Sequence, residues 1–96
     1  MNQLSKRDEI LLILQEECAE VIQAVSKVKR FGMANNQEQL EQEIADVLCM
    51  INLCYEYKII SSNKEEVDKR INKKEERLKK YSNIYNSPGP IMHMRV

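Results

Sequence analysis

Apolar residues recur every three or four positions through three stretches of the chain, with polar and helix-breaking residues between them. In the first stretch Leu11, Leu14, Cys18, Val21, Ile22, Val25 and Val28 make one face of a helix from about Ser5 to Lys29. Ser5 is the expected N-cap, and Asp8 and Glu9 favour the positive end of the dipole. Lys27, Lys29 and Arg30 crowd the opposite end, and Gly32 closes it. Met33 to Gln37, with Asn35-Asn36, reads as a loop. A second helix is predicted from about Glu38 to Tyr57, with Leu40, Ile44, Val47, Leu48, Ile51, Cys54 and Tyr55 as its main stripe. Ser61-Ser62-Asn63 breaks the pattern, with Ser62 or Asn63 capping a third helix from about Lys64 to Tyr81. Its stripe is Val67, Ile71, Lys74, Leu78 and Tyr81, and Ser87-Pro88-Gly89-Pro90 ends helical structure. The pattern therefore predicts an all-α fold, with one helical domain over 1–86 and a Pro/Gly-initiated tail over 87–96.

Each of the first two helices carries more than one apolar stripe. Ile10, Ile13 and Ala24 share a second side of the first helix, and Met50, Leu53 and Tyr57 a second side of the second. An acidic pair interrupts each of these second stripes. Taking the first core stripe as centred on Leu14, Val21 and Val25, Glu17 is offset to one side of it and Glu20 lies farther round in the same sense. Glu43 and Asp46 stand at nearly the same offset from Leu40, Val47 and Ile51. An ordinary solvated face carries mixed charge and few aliphatics, so this placement is unusual. Two wide apolar faces on a short helical chain also call for a partner subunit, most simply through a two-fold dimer.

The acids are Glu16-Glu17-Cys18-Ala19-Glu20, an EExxE, and Glu43-Ile44-Ala45-Asp46, an ExxD. Carboxylates at i and i+3 share a helical face, about 5–6 Å apart at Cβ. Two such pairs on facing helices make a cup of four carboxylates that repel one another unless a cation compensates them. Hard divalent cations, Mg²⁺ or Mn²⁺ in its place, prefer such oxygen donors. Glu17, Glu20, Glu43 and Asp46 are the expected ligands, with Glu16 beside them.

Composition narrows the rest. At 96 residues with 31% charged and 5% aromatic side chains, the chain supports one small core. Its formal net charge of +0 offers no global field for nucleic acid or an anionic membrane. No apolar run approaches the roughly 18 residues of a membrane span. Three cysteines without a secretory signal argue for free thiols in a reducing, cytoplasmic setting. Cys18 and Cys54 fall on core stripes and are expected to be buried. His93, the one histidine, sits in the tail, which argues against a zinc site or a His-dependent nucleophile.

The EExxE, the gap, the ExxD, and the stretches "EECAEVIQAVSKVKRFG" and "EIADVL" resemble the MazG-like branch of the all-α nucleotide pyrophosphohydrolases. The likeness covers about Ile10 to Leu48 at motif level, and helix three more loosely. It implies a Mg²⁺-dependent enzyme that splits a nucleoside triphosphate between the α- and β-phosphates. It also implies a helical bundle assembled as a homodimer or a dimer of dimers. Carried over by position, Glu17, Glu20, Glu43 and Asp46 are the metal ligands, and Glu17 or Glu16 the residue that orients or deprotonates the water. Lys74, with Arg70 and Arg77, is the candidate contact for the β- and γ-phosphates, since the third helix of the family commonly contributes Lys or Arg. Lys27 and Arg30 form a second candidate pair, although cations there also serve the helix dipole. The competing reading is a non-catalytic dimerisation or adaptor module with a vestigial metal site. The complete acidic quartet favours the enzyme, because a degenerate relative is expected to lose a ligand.

Overall fold

Three α-helices, and no strand, make up the described residues of the computed structural model, 3–61 and 63–85. They are α1 (Lys6–Phe31), α2 (Gln37–Glu56) and α3 (Lys64–Tyr81). The predicted tail over 87–96 lies outside the described residues. By internal contacts the chain divides into two units, Met1–Ser61 and Ser62–Val96.

The helix ends follow from local chemistry. The Ser5 side chain accepts a hydrogen bond from the Asp8 N–H at 3.1 Å, with Asp8 and Glu9 in the first turn. At the other end Gly32 adopts φ 88°, a region that a side chain would strain, and its N–H reaches the Val28 carbonyl. α1 thus runs about two residues beyond the predicted Lys29. Asn36 precedes α2 without a capping bond from its side chain, which donates instead to the Gly32 carbonyl at 2.9 Å. The 32–36 loop is thereby tied across its base.

α2 ends in a Schellman turn on a lysine. Lys58 has φ 56°; its N–H bonds the Tyr55 carbonyl, and the Ile59 N–H bonds the Cys54 carbonyl. Ile59 folds back onto the cluster that contains Cys54, supplying the apolar contact usual in this motif. A β-carbon in the left-handed region costs about 1 kcal/mol or more, partly offset by the chain entropy of glycine. Lys58→Gly is therefore expected to stabilise the protein by about 0.5–1 kcal/mol, read as a raised urea midpoint at unchanged slope.

Asn63 caps α3, accepting from the Glu66 N–H at 2.8 Å, and the helix covers the predicted span. Within this unit Val67, Glu75 and Leu78 are half-buried, whereas Ile71, Lys74 and Tyr81 of the expected stripe are exposed. Arg70, Lys73, Arg77 and Lys80 fall within an ~80° arc and make a basic face.

α1 and α2 pair as an antiparallel hairpin. Lys6 lies over the Tyr57 ring at 5.1 Å, Ile10 clusters with Met50 and Cys54, and Lys27 donates to Gln39 at 3.4 Å. The face that meets is not the one with the longer apolar stripe. Among the described residues the buried set is Ile10, Ala24, Met50 and Cys54, and Ile13, Leu14, Leu53 and Ile59 pack against the cluster of Ile10, Met50 and Cys54. Leu11, Cys18, Ile22 and Val25 of the expected α1 core are exposed, as are Ile44, Leu48 and Tyr55 of α2. Ile22 retains 70% and Leu48 54% of its surface. Cys18 is thus corrected to an exposed position, while Cys54 is buried as expected.

The reason is long-range. Either apolar face satisfies helical periodicity, and the tight 32–36 connection decides which two faces meet. Small Ala24, 2% exposed, gives close approach on the chosen side. The stripe read as secondary is the core of the hairpin.

Candidate metal centre

This inversion puts the acids at the middle of the contact. Relative to Glu17, the packed residues Ile10, Ala24, Val21 and Val28 all fall within about 40° around α1. Relative to Glu43, Met50 and Cys54 lie within about 20° around α2. Glu17 and Glu43 therefore occupy positions that would carry apolar side chains in an ordinary hairpin.

Glu17, Glu43 and Asp46 are half-buried, and each places one carboxylate oxygen within 4.8 Å of those of the other two. Glu20 and Glu16 are exposed. Glu20 and Asp46 both sit about 60° round from the facing direction, in the same rotational sense. In an antiparallel pair, equal senses point to the same side of the hairpin. Glu20 therefore borders the cluster on Asp46's side, and its negative charge acts on Glu17. Of the four expected ligands, three converge and the fourth stands at the rim.

The Glu17 carboxyl is held above the usual carboxylate range. Partial desolvation is the first cause, followed by the charges of Asp46, Glu43 and Glu20, and a hydrogen bond shared with Asp46. The neighbours that raise it are all acidic. Among the described residues no lysine or arginine ion-pairs with these four; the ion pair present is Arg7–Asp8, at the helix start. Fully ionised, the cluster works against the contact that creates it.

The donor set fits a hard divalent cation. It is all carboxylate oxygen, it is converging and half-buried, and it lacks the sulfur or imidazole that zinc sites favour. Cys18 and Cys49 are exposed free thiols and do not belong to this group.

The cationic candidates stand as follows. Lys27 lies ten residues beyond Glu17 on α1, about 15 Å along the axis, and donates to Gln39. That bond depends on the register of the hairpin, which spacing within α1 does not reveal. Arg30 is exposed at the end of α1. Arg70, Lys74 and Arg77 are exposed on α3, in the second unit.

The exposed apolar residues lie on the other side. Leu11, Cys18, Ile22 and Val25 are rotated about 80–140° from Glu17. Ile44, Leu48 and Tyr55, with half-buried Ile51, are rotated by the same amounts, in the same sense, from Glu43. The two stripes thus share one face of the hairpin, opposite the side of Glu20 and Asp46.

No helix among the described residues is long and apolar enough to cross a membrane. No curated protein and no solved structure matches the chain significantly. A family model does: the MazG nucleotide pyrophosphohydrolase domain matches residues 5–82, covering all three helices and both acidic motifs. The chain belongs to the MazG nucleotide pyrophosphohydrolase family.

Proposed function

We propose that the protein is a Mg²⁺-dependent nucleoside triphosphate pyrophosphohydrolase, converting a (d)NTP and water to a (d)NMP and diphosphate. The observation that carries this reading is the convergence of Glu17, Glu43 and Asp46 at the centre of the hairpin of a MazG-family chain. A triphosphate brings about four negative charges at neutral pH, and an acidic pocket accepts it only through cations. Glu17, Glu43 and Asp46 would hold Mg²⁺, or Mn²⁺ in its place, with Glu20 at the rim as the fourth ligand. When bound, the cation supplies charge neutralisation, phosphoryl polarisation and an acidified water.

The chain's own residues supply position and proton transfer. Glu16 projects toward solvent about 100° around α1 from Glu17, on the side of Glu20. Glu16 or Glu17 would orient the water and take its proton as its oxygen attacks the α-phosphorus. The bond from the α-phosphorus to the oxygen bridging toward the β-phosphate then breaks, and diphosphate leaves with the electron pair. Arg70, Lys74 and Arg77 are the candidates for the charge developing on that leaving group. Lys27 and Arg30 rank behind them, being distant along α1 and, for Lys27, already hydrogen-bonded.

The apolar face opposite the acids would be covered by a second copy, giving a homodimer or a dimer of dimers. Its free cysteines suit a reducing, cytoplasmic setting. The test is pyrophosphate release by the purified protein with Mg²⁺ from a panel of canonical and damaged (d)NTPs. Turnover of at least one is expected. None across the panel, with Mg²⁺ or Mn²⁺, would favour the adaptor reading instead.

A further inference from the structure

The packed face of the hairpin has three layers. At the open end Ile10, Met50 and Cys54 cluster with Ile13, Leu14, Leu53 and Ile59. Toward the 32–36 loop lie buried Ala24 and half-buried Val21, Val28 and Leu40. Glu17, Glu43 and Asp46 stand between them. Neither apolar layer is large, since among the described residues only Ile10, Ala24, Met50 and Cys54 are buried. A contact with so little buried apolar surface has a small stability reserve, and repulsion in its middle layer acts directly on that reserve.

We propose that a divalent cation gripped by Glu17, Glu43 and Asp46 is the middle layer of the α1–α2 core, so that cation binding and closure of the hairpin are one equilibrium. This rests on the reading of these residues as cation ligands given above, and makes the cation a member of the fold as well as of the reaction. Glu43 and Asp46 share a face of α2, but Glu17 belongs to α1, so in the open chain the three-carboxylate site does not exist. The binding free energy is then folding free energy. The two flanking apolar layers report on the same event, because α1 and α2 each run unbroken through both layers and the acids between them.

Backbone hydrogen exchange tests this on the full chain without nucleotide, in EDTA and across a Mg²⁺ titration, with binding followed by calorimetry. At a Mg²⁺ concentration about 100 times Kd, protection of the closing amides should rise about 100-fold. The rise should be the same in the turns around Ile10 and Met50 as in those around Ala24 and Leu40. Asp46→Asn and Glu17→Gln should be more protected than wild type in EDTA and should not respond to Mg²⁺. Protection confined to the turns that carry the acids would overturn the proposal, as would variants no more protected than wild type in EDTA. No Mg²⁺ binding to the nucleotide-free protein, with pyrophosphate release intact, overturns this proposal alone. Loss of both overturns the functional reading as well.

Discussion

Asp46→Asn or Glu20→Gln should reduce pyrophosphate release by about 10³-fold or more while far-ultraviolet circular dichroism stays near wild type. Both changes keep side-chain volume and remove one negative oxygen. Asp46 is one of the three converging carboxylates, and its charge is among those that act on Glu17. Under the proposed function, losing a ligand would remove much of the cation's charge stabilisation at the phosphoryl group, an effect of several kcal/mol, and each 1.36 kcal/mol is a factor of ten in rate. Helix content should hold, because neither residue caps a helix or belongs to the buried apolar set. Glu20, at the rim, is the sharper test of how many ligands the site uses. Activity within tenfold of wild type for Glu20→Gln would reduce the site to Glu17, Glu43 and Asp46.

The second large effect concerns the apolar face. The double variant Ile22→Glu/Leu48→Glu should dissociate the protein into monomers at concentrations where wild type is an oligomer, read by light scattering. Both residues are more than half exposed in the single chain. They lie on the same side of the hairpin, with Leu11, Val25, Ile44 and Tyr55 around them. Burying an aliphatic side chain is worth about 1.5–3 kcal/mol, and a two-fold interface repeats every substitution. The expected weakening is therefore at least about 10²-fold in dissociation constant. A wild type that stays monomeric at all concentrations would refute the assignment of this face. So would a double variant that associates as wild type does.

Much of the fold was legible because it is local. Ser5, Gly32 and Asn63 act on their own helix ends, so the sequence marks those ends directly. Acids at i and i+3 share a face wherever the helix is placed, which is why the Glu17/Glu20 and Glu43/Asp46 pairs could be recognised. The choice between two apolar faces is different in kind. Leu11, Ile22 and Val25 form as good a stripe as Ile10, Glu17 and Ala24, and only the pairing with α2 distinguishes them. Reading the richer stripe as core put Glu17 at the margin of the contact, whereas it stands at the centre. The same register decides the Lys27–Gln39 bond, which no spacing within α1 reveals.

The layer of acids also bears on how such a chain drifts over generations. Most surface positions are close to neutral, but here the neutral replacements of Glu17, Glu43 or Asp46 relieve repulsion between two helices. A lineage released from the need to turn over nucleotides would gain by losing these residues first, because stability and activity pull against each other at these positions. Under the proposed function, descendants that have lost these acids should therefore resist melting better than an ancestor that keeps them.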